Sequence, residues 1–415
     1  MIMMKTAFYP TDILLPKSQD NTKWSVIACD QFTEQKQYWR QVEQIVGEAP
    51  STLHMILPEA YLDEADAAER ITRSGENMED YLKGDIMKCY PEAMIYVERT
   101  LSDGSLRPGL IGALDLEEYS FSADAQTLCR PTEQTVADRL PPRCKIRKAA
   151  SLELPHAMVL LDDKKGSVIE AVGTAKETLE KVYDFDLMLG SGHLQGWLLS
   201  KQLQAQVLSA LTTLKEESSK RFGTPLLYLV GDGNHSIATA KTCYEQLKDT
   251  LGEKAKEHPA RYCLVELCNL HHSSIQFEPI HRVVFGADKE DLLNTLYEQQ
   301  PRGNPYTQSF TLMSAEGVEE ISLPHPTSPL TVGTLQQFLD KYMESHPNVS
   351  IDYVHELSSL KECCKQGALG MLLPAMDKDA LTESILSDGV LPRKTFSMGH
   401  AADKRFYLEC RKIVK

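Results

Sequence analysis

One stretch constrains this chain more than any other. The apolar run Leu226-Leu227-Tyr228-Leu229-Val230 enters the turn Gly231-Asp232-Gly233-Asn234-His235, and residues 236–249 follow as a helix rich in Ala, Lys, Glu and Leu. A buried strand that delivers directly into a helix needs a sheet around it and helices over that sheet. The expected class is therefore α/β, or α+β, with a mixed sheet. The same stretch brings helix-terminal N–H groups and the positive end of a helix dipole to one point, which suits an anion. Gly231 and Gly233 allow positive φ and close approach of a ligand. Asp232 can hold Mg²⁺ or accept a proton, and His235 can donate to a phosphate oxygen or act as acid or base. Ser236 reads as the N-cap. The Gly-Lys-Ser/Thr ending of a Walker A loop is absent. The competing reading is a plain tight turn, with Asp232 and Asn234 as turn formers and Ser236 as cap.

Around this stretch the chain alternates strands and helices. Strands are expected over 24–29, 53–57, 94–99, 109–114, 157–163 and 263–267, with Ser102-Asp103-Gly104-Ser105 turning a hairpin between two of them. Helices are expected over 34–46, 59–84, 167–181, 200–220 and 287–300. At 415 residues the chain is long for one core. Composition shifts near 285–305, and 301–335 is rich in Pro, Ser and Thr. The expected division is a phosphate-binding core region over 1–290 and a smaller C-terminal α/β lobe over 291–415.

Charge and cysteine usage narrow the function classes. Forty-four basic and 59 acidic side chains leave a formal charge of −15, which disfavours nucleic acid and anionic lipid as partners. The dense basic run Arg139, Arg143, Lys145, Arg147, Lys148 is the exception, and it suits a small anionic ligand or a solvated face. The ten cysteines form no CxxC and no zinc-ligand spacing, so buried reduced thiols are expected. No apolar stretch approaches the length of a membrane span, and a cytoplasmic address follows by default.

The string Val230-Gly231-Asp232-Gly233-Asn234-His235-Ser236-Ile237-Ala238-Thr239-Ala240-Lys241 resembles the signature of a bacterial and archaeal family, domain of unknown function ten-fifteen. The likeness takes in Trp24-Ser25-Val26-Ile27-Ala28-Cys29-Asp30-Gln31, Arg139-Leu140-Pro141-Pro142-Arg143, Glu153-Leu154-Pro155-His156 and Phe277-Glu278-Pro279-Ile280-His281-Arg282. It ends with Leu391-Pro392-Arg393-Lys394-Thr395-Phe396-Ser397-Met398-Gly399. The resemblance implies a ParB/sulfiredoxin-like nucleotide-binding core, in which a Gly-x-His-Arg turn before a helix grips phosphates. That wider group includes a free-serine kinase, ATP-using sulfiredoxins and CTP-hydrolysing ParB proteins. Here Asn234 stands at the first His of the family's usual Asp-Gly-His-His-Arg, and Ser236 stands where Arg would be. Lys241, Arg143 and Arg282 are the candidates to supply the missing charge. Arg130-Pro131-Thr132-Glu133-Gln134-Thr135 resembles a second family element, with Thr132 in place of a His. Glu133 is then a candidate general base and Arg130 an anion clamp, against a surface ion pair as the alternative.

Asp30 and Gln31 follow a strand, a common ligand position in α/β folds, or they cap the next helix. His156 lies beside a proline and reads as structural. Glu278, three residues from His281 in an extended segment, reads as an ion-paired structural group, which leaves His281 and Arg282 as ligand contacts. Arg393-Lys394-Thr395 and Ser397 make a basic, hydroxyl-bearing cluster suited to folding back over a nucleotide or substrate, with an ordinary exposed turn as the alternative. The resemblance implies an ATP- or ADP-dependent phosphotransferase with Mg²⁺, acting on a small hydroxyl-bearing metabolite as the serine kinase does. The alternatives are a nucleotide-binding regulator without turnover and a hydrolase of a phosphorylated metabolite.

Overall fold

Tyr262–Asn269 is the strand around which the larger sheet is built, and seven of its eight residues are buried. Cys263, Val265 and Leu267 pack into the core on one face, and Leu264 into the core on the other. This is the period-two alternation of a strand covered on both sides, which is why it reads as a continuous apolar run. It pairs antiparallel with Leu106–Asp115 and parallel with Met158–Leu161. From one edge the sheet runs Glu180–Asp186, His193–Leu198, Ile95–Thr100, Leu106–Asp115, Tyr262–Asn269, Met158–Leu161, Tyr228–Asp232 and Cys129–Pro131. Phe8–Tyr9 adds a ninth strand against Leu106–Asp115. Parallel and antiparallel pairs both occur, so the α/β class with a mixed sheet holds.

The structure is a computed structural model that describes residues 6–17, 20–122, 125–299, 308–392 and 394–415. The chain divides into two compact units. The first contains Met1–Pro131, Thr135–Ile275 and His400–Lys415; the second contains Thr132–Gln134 and Gln276–Gly399. The expected boundary at 290/291 thus differs from this division at both ends. The second unit begins at Gln276, and the chain returns to the first unit at His400. In the second unit a five-stranded antiparallel sheet runs Gly317–Leu323, Gln308–Ser314, Leu369–Leu372, His281–Phe285 and Ser350–Val354.

The return segment is fastened by backbone pairing and by buried charge. Phe406–Tyr407 pairs with Val26–Ile27, and Arg411–Lys412 pairs with Leu152–Glu153. Trp24 Nε1 donates to Leu408 O at 3.0 Å. Glu266, fully buried, holds Arg405 Nη1 at 2.9 Å and Arg107 Nε at 3.6 Å. Arg405 also pairs with Glu409, which accepts from the Tyr183 hydroxyl at 2.5 Å. Arg99 donates to the carbonyls of Ala402 (2.9 Å) and Lys404 (3.1 Å), and Arg107 to that of Asp403 (2.9 Å).

Local structure departs from expectation in three places. Residues 53–57 are not a strand: Thr52–Met55 is a 3₁₀ helix, capped by Ser51 and tied to Trp24 O through the Thr52 hydroxyl at 2.9 Å. The helix over 59–84 is broken after the short turn Glu59–Tyr61 and resumes at Ala67–Lys83. The helix over 167–181 shrinks to Ile169–Gly173 and a 3₁₀ turn, because Glu180–Asp186 joins the sheet edge. The helix at Lys201–Phe222 stands as expected. The Ser200 hydroxyl caps its start, and Gly223 ends it in the left-handed conformation at φ 72°. No described helix is long and apolar enough to cross a membrane.

Candidate functional site

The turn is tighter than its sequence suggests. Tyr228–Asp232 is strand, Asn234–Leu251 is helix, and Gly233 alone joins them as the N-cap at φ 78°, ψ 26°. Gly231 therefore keeps strand backbone, and Ser236 is the third helical residue instead of the cap. The N–H groups of Ser236 and Ile237 donate to Gly233 O at 2.9 and 3.1 Å. Glycine is required at 233 twice over. The backbone is left-handed, and a Cβ would lie 2.8 Å from Ala157 Cα and 2.9 Å from His156 Cδ2.

Two carboxylates face this corner, each already opposed by a protein cation. Asp232 Oδ1 accepts from Gly233 N–H at 2.9 Å, and Oδ2 lies 3.1 Å from Lys404 Nζ. Asp30 Oδ1 accepts from Gln31 Nε2 at 2.9 Å, and Oδ2 lies 3.3 Å from His156 Nε2. Burial alone would push the Asp30 carboxyl up. The His156 imidazolium outweighs it, with help from Gln31 and Lys404, and holds Asp30 below the usual carboxylate range. Among the described residues no group of three or more His, Cys, Asp or Glu is placed to hold a metal. The donor set does not fit Mg²⁺ on Asp232, because the lysine takes the cation's place.

His235, on the first turn of the helix, accepts from Val136 N–H at 3.2 Å through Nε2. That bond requires the neutral ring with its proton on Nδ1. Burial, then Arg143, then Arg139 push its pKa down from 6.5 to about 4. His235 can donate to an oxygen, but it is not an imidazolium at neutral pH. Its ring-nitrogen NMR shifts are expected to remain those of a neutral imidazole from pH 7 down to about pH 4. A lowered folded value means that the unfolded chain binds more protons between pH 6.5 and 4, so the stability this residue contributes declines as pH falls through that window. A cationic ring at pH 6 would contradict the assignment.

The basic run is helix Leu140–Ala149, which packs on Asn234–Leu251 and divides its charge. Arg147 pairs with buried Glu153 at 2.7 Å. Arg143 pairs with Glu59 and donates to Arg139 O at 3.0 Å. Arg130, opposite Leu229 on the neighbouring strand, is 4% exposed, and its Nε and Nη2 have no hydrogen-bond partner among the described residues. Burial lowers its pKa from the ordinary arginine value.

Other expected site residues stand elsewhere. Lys241 lies two helical turns past Gly233, donating to Leu116 O at 2.9 Å and pairing with Glu245 at 2.7 Å, so it does not replace the missing arginine. Glu133 belongs to the second unit, where it bridges to Leu391. Arg282 is fully buried in that unit and donates to Ile280 O, Lys394 O and Gln336 Oε1, which makes it a structural guanidinium instead of an exposed ligand contact. Lys394, also in that unit, has a left-handed backbone at φ 57°. Arg393 lies outside the described residues. His156, Lys404 and Tyr407 are the site residues that local pattern missed. The string Glu153-Leu154-Pro155-His156 was the available signal for His156, while nothing near Lys404 or Tyr407 in sequence points to Gly233.

The model of one family, described as a protein of unknown function (DUF1015), matches residues 10–342. The chain belongs to that family. No match was found among curated proteins. Similar solved structures include a conserved hypothetical protein from Pyrococcus furiosus, at 11% identity and TM-score 0.33, covering 73% of this chain and 94% of that one. A free serine kinase variant in complex with ADP is similar at 11% identity and TM-score 0.35, covering 73% and 91%. SbnI with a C-terminal truncation, from Staphylococcus aureus, is similar at 12% identity and TM-score 0.33, covering 70% and 82%. Similarity this distant leaves the chemistry of the DUF1015 chain to its own residues.

Proposed function

We propose that this DUF1015 protein binds a phosphate-bearing small molecule at the Gly233 turn and transfers a phosphoryl group from ATP or ADP to a small hydroxyl compound. A ParB/sulfiredoxin-like core would supply the frame. The observation that carries the reading is the meeting of a helix N-terminus with positive charge. Gly233 is a side-chain-free cap, Arg139 and Arg143 lie close enough to depress His235, and Arg130 is a buried guanidinium on the adjoining strand with two nitrogens that find no partner among the described residues. Helix-terminal amides and arginines are the usual means of holding phosphate oxygens. His235 would donate Nδ1–H to one of those oxygens. Asp30, ionised beside His156, would orient the acceptor hydroxyl and take its proton late, with positioning and charge stabilisation providing most of the acceleration.

The test is calorimetric titration with ATP, ADP and inorganic phosphate, paired with a product assay over small hydroxyl metabolites. Binding and nucleotide-dependent product formation are expected, and Gly233→Ala should lose both. Binding without product would favour a regulatory protein. Phosphate release from a phosphorylated metabolite without nucleotide would favour a hydrolase. Absence of binding to any phosphate compound would defeat all three.

A further inference from the structure

Asp30 sits in a closed ring of one ion pair and three hydrogen bonds that nothing in its local sequence announces. His156 Nε2 meets Asp30 Oδ2 at 3.3 Å, and His156 Nδ1 meets the Tyr407 hydroxyl at 2.6 Å. That hydroxyl donates to Cys29 Sγ at 3.4 Å and accepts from Cys29 N–H at 3.1 Å. Cys29 is bonded to Asp30, so the ring closes through one peptide link. Its members come from three places: the residues after Val26–Ile27, the residue before Ala157, and Phe406–Tyr407, which pairs with Val26–Ile27.

One arrangement of these bonds follows from the donation of the Tyr407 hydroxyl to Cys29 Sγ. Once the tyrosine proton points to Cys29 Sγ, the oxygen is an acceptor toward His156, and Nδ1 must carry a proton. Asp30 is an acceptor below its ordinary range, so Nε2 carries a proton as well. In that arrangement the ring is an imidazolium between a carboxylate and a phenol oxygen. Burial opposes that charge, and the Tyr407 oxygen and Asp30 outweigh it. His156 also packs against Gly233, where an added Cβ would lie 2.9 Å from its ring. The strap thus joins the carboxylate to the phosphate turn.

We infer that His156, held by Tyr407, is a positioning residue that keeps Asp30 ionised and in one orientation beside the Gly233 turn. The inference rests on the phosphotransfer reading for its purpose, but the geometry of the ring is measurable without turnover. A fixed, charged carboxylate aligns an acceptor hydroxyl at no reorganisation cost during transfer. The ring holds the carboxylate assigned to the acceptor hydroxyl, so its loss should affect turnover more than nucleotide affinity.

The experiment uses the full chain with ¹⁵N-labelled histidine, the His156→Asn spectrum supplying the assignment. His156 is expected to remain doubly protonated at pH 7.5, above the ordinary histidine value of 6.5. The titratable groups around it are Asp30, Tyr407, Cys29 and Cys263, with Lys404 near Asp30. Asp30→Asn should lower the His156 titration, and Tyr407→Phe should lower it less. In a nucleotide-dependent assay His156→Asn should reduce kcat about tenfold or more with nucleotide KM within about twofold, the pattern of an interaction made only during transfer. Tyr407→Phe should reproduce that split more weakly, and it guards against a folding defect at position 156. A neutral His156 at pH 7.5 would overturn the inference whatever the turnover, as would equal changes in kcat and KM. A cationic His156 in a protein that turns over no nucleotide would preserve the ring and remove the phosphotransfer reading instead.

Discussion

In phosphate-free buffer an Arg130→Met variant is expected to be more stable than the parent protein, by roughly 1–3 kcal/mol. The sign is unusual for a buried substitution and follows from one observation. Arg130 is 4% exposed, and two of its nitrogens have no partner among the described residues. A buried guanidinium without a counter-charge costs free energy that an unbranched thioether of similar length does not. Phosphate or ATP should reverse the order. A ligand that binds only the folded state adds ~2.7 kcal/mol at one hundred times its Kd, and the variant should gain little of this. Urea unfolding of both proteins, with and without 10-fold steps of phosphate, measures the two effects together. A variant less stable than the parent in both buffers would mean that the guanidinium supports the fold and no anion is awaited there.

Replacing Glu266 by glutamine should cost ~3–5 kcal/mol, enough to leave many domains unfolded at 37 °C. The carboxylate is fully buried between Arg405 and Arg107, with Arg99 nearby. A neutral amide leaves Arg107 without its acid and Arg405 with Glu409 alone. The pH dependence provides a second check. Burial would raise the Glu266 pKa, but Arg405, Arg107 and Arg99 hold it below the ordinary 4.5. A lowered acid contributes stability that is present above 4.5 and is lost as pH falls through the folded value. The parent should therefore lose more stability than Glu266→Gln between pH 5 and 3. Equal losses would place the acid sensitivity in other carboxylates, and an unchanged urea midpoint at pH 7 would refute the network's weight.

Much of the frame was legible because it obeys local rules. The strand around Val265 is buried on both faces, the hairpin turns at Gly104, and Ser200 and Gly223 bracket a helix with the chemistry of caps. The failures have equally local causes. The segment after Ser51 has strand-like composition, yet its hydroxyl neighbours bond Trp24 O and curl it. Ser236 looks like a cap, yet Gly233 reaches the left-handed conformation first and caps the helix three residues early. At the candidate site, Gly233, His235 and Asp30 stand out in the sequence by type and context. Lys404 and Tyr407 did not, because the pairing of Phe406–Tyr407 with Val26–Ile27 spans almost the whole chain. His156 was discounted for its proline neighbour, although its ring is fixed by two partners that only tertiary structure supplies.

The order of segments along the chain has a consequence for how the molecule is made. Ribosomes deliver residues vectorially, and the whole insertion from Gln276 to Gly399 emerges before Arg405, Tyr407 and Glu409 exist. At ~5–20 residues per second, Glu266 waits on the order of ten seconds for Arg405, and Val26–Ile27 waits roughly several tens of seconds for Phe406–Tyr407. During that interval Glu266 and Arg107 lie in a nascent body whose last staves are missing, and chaperone engagement should concentrate there.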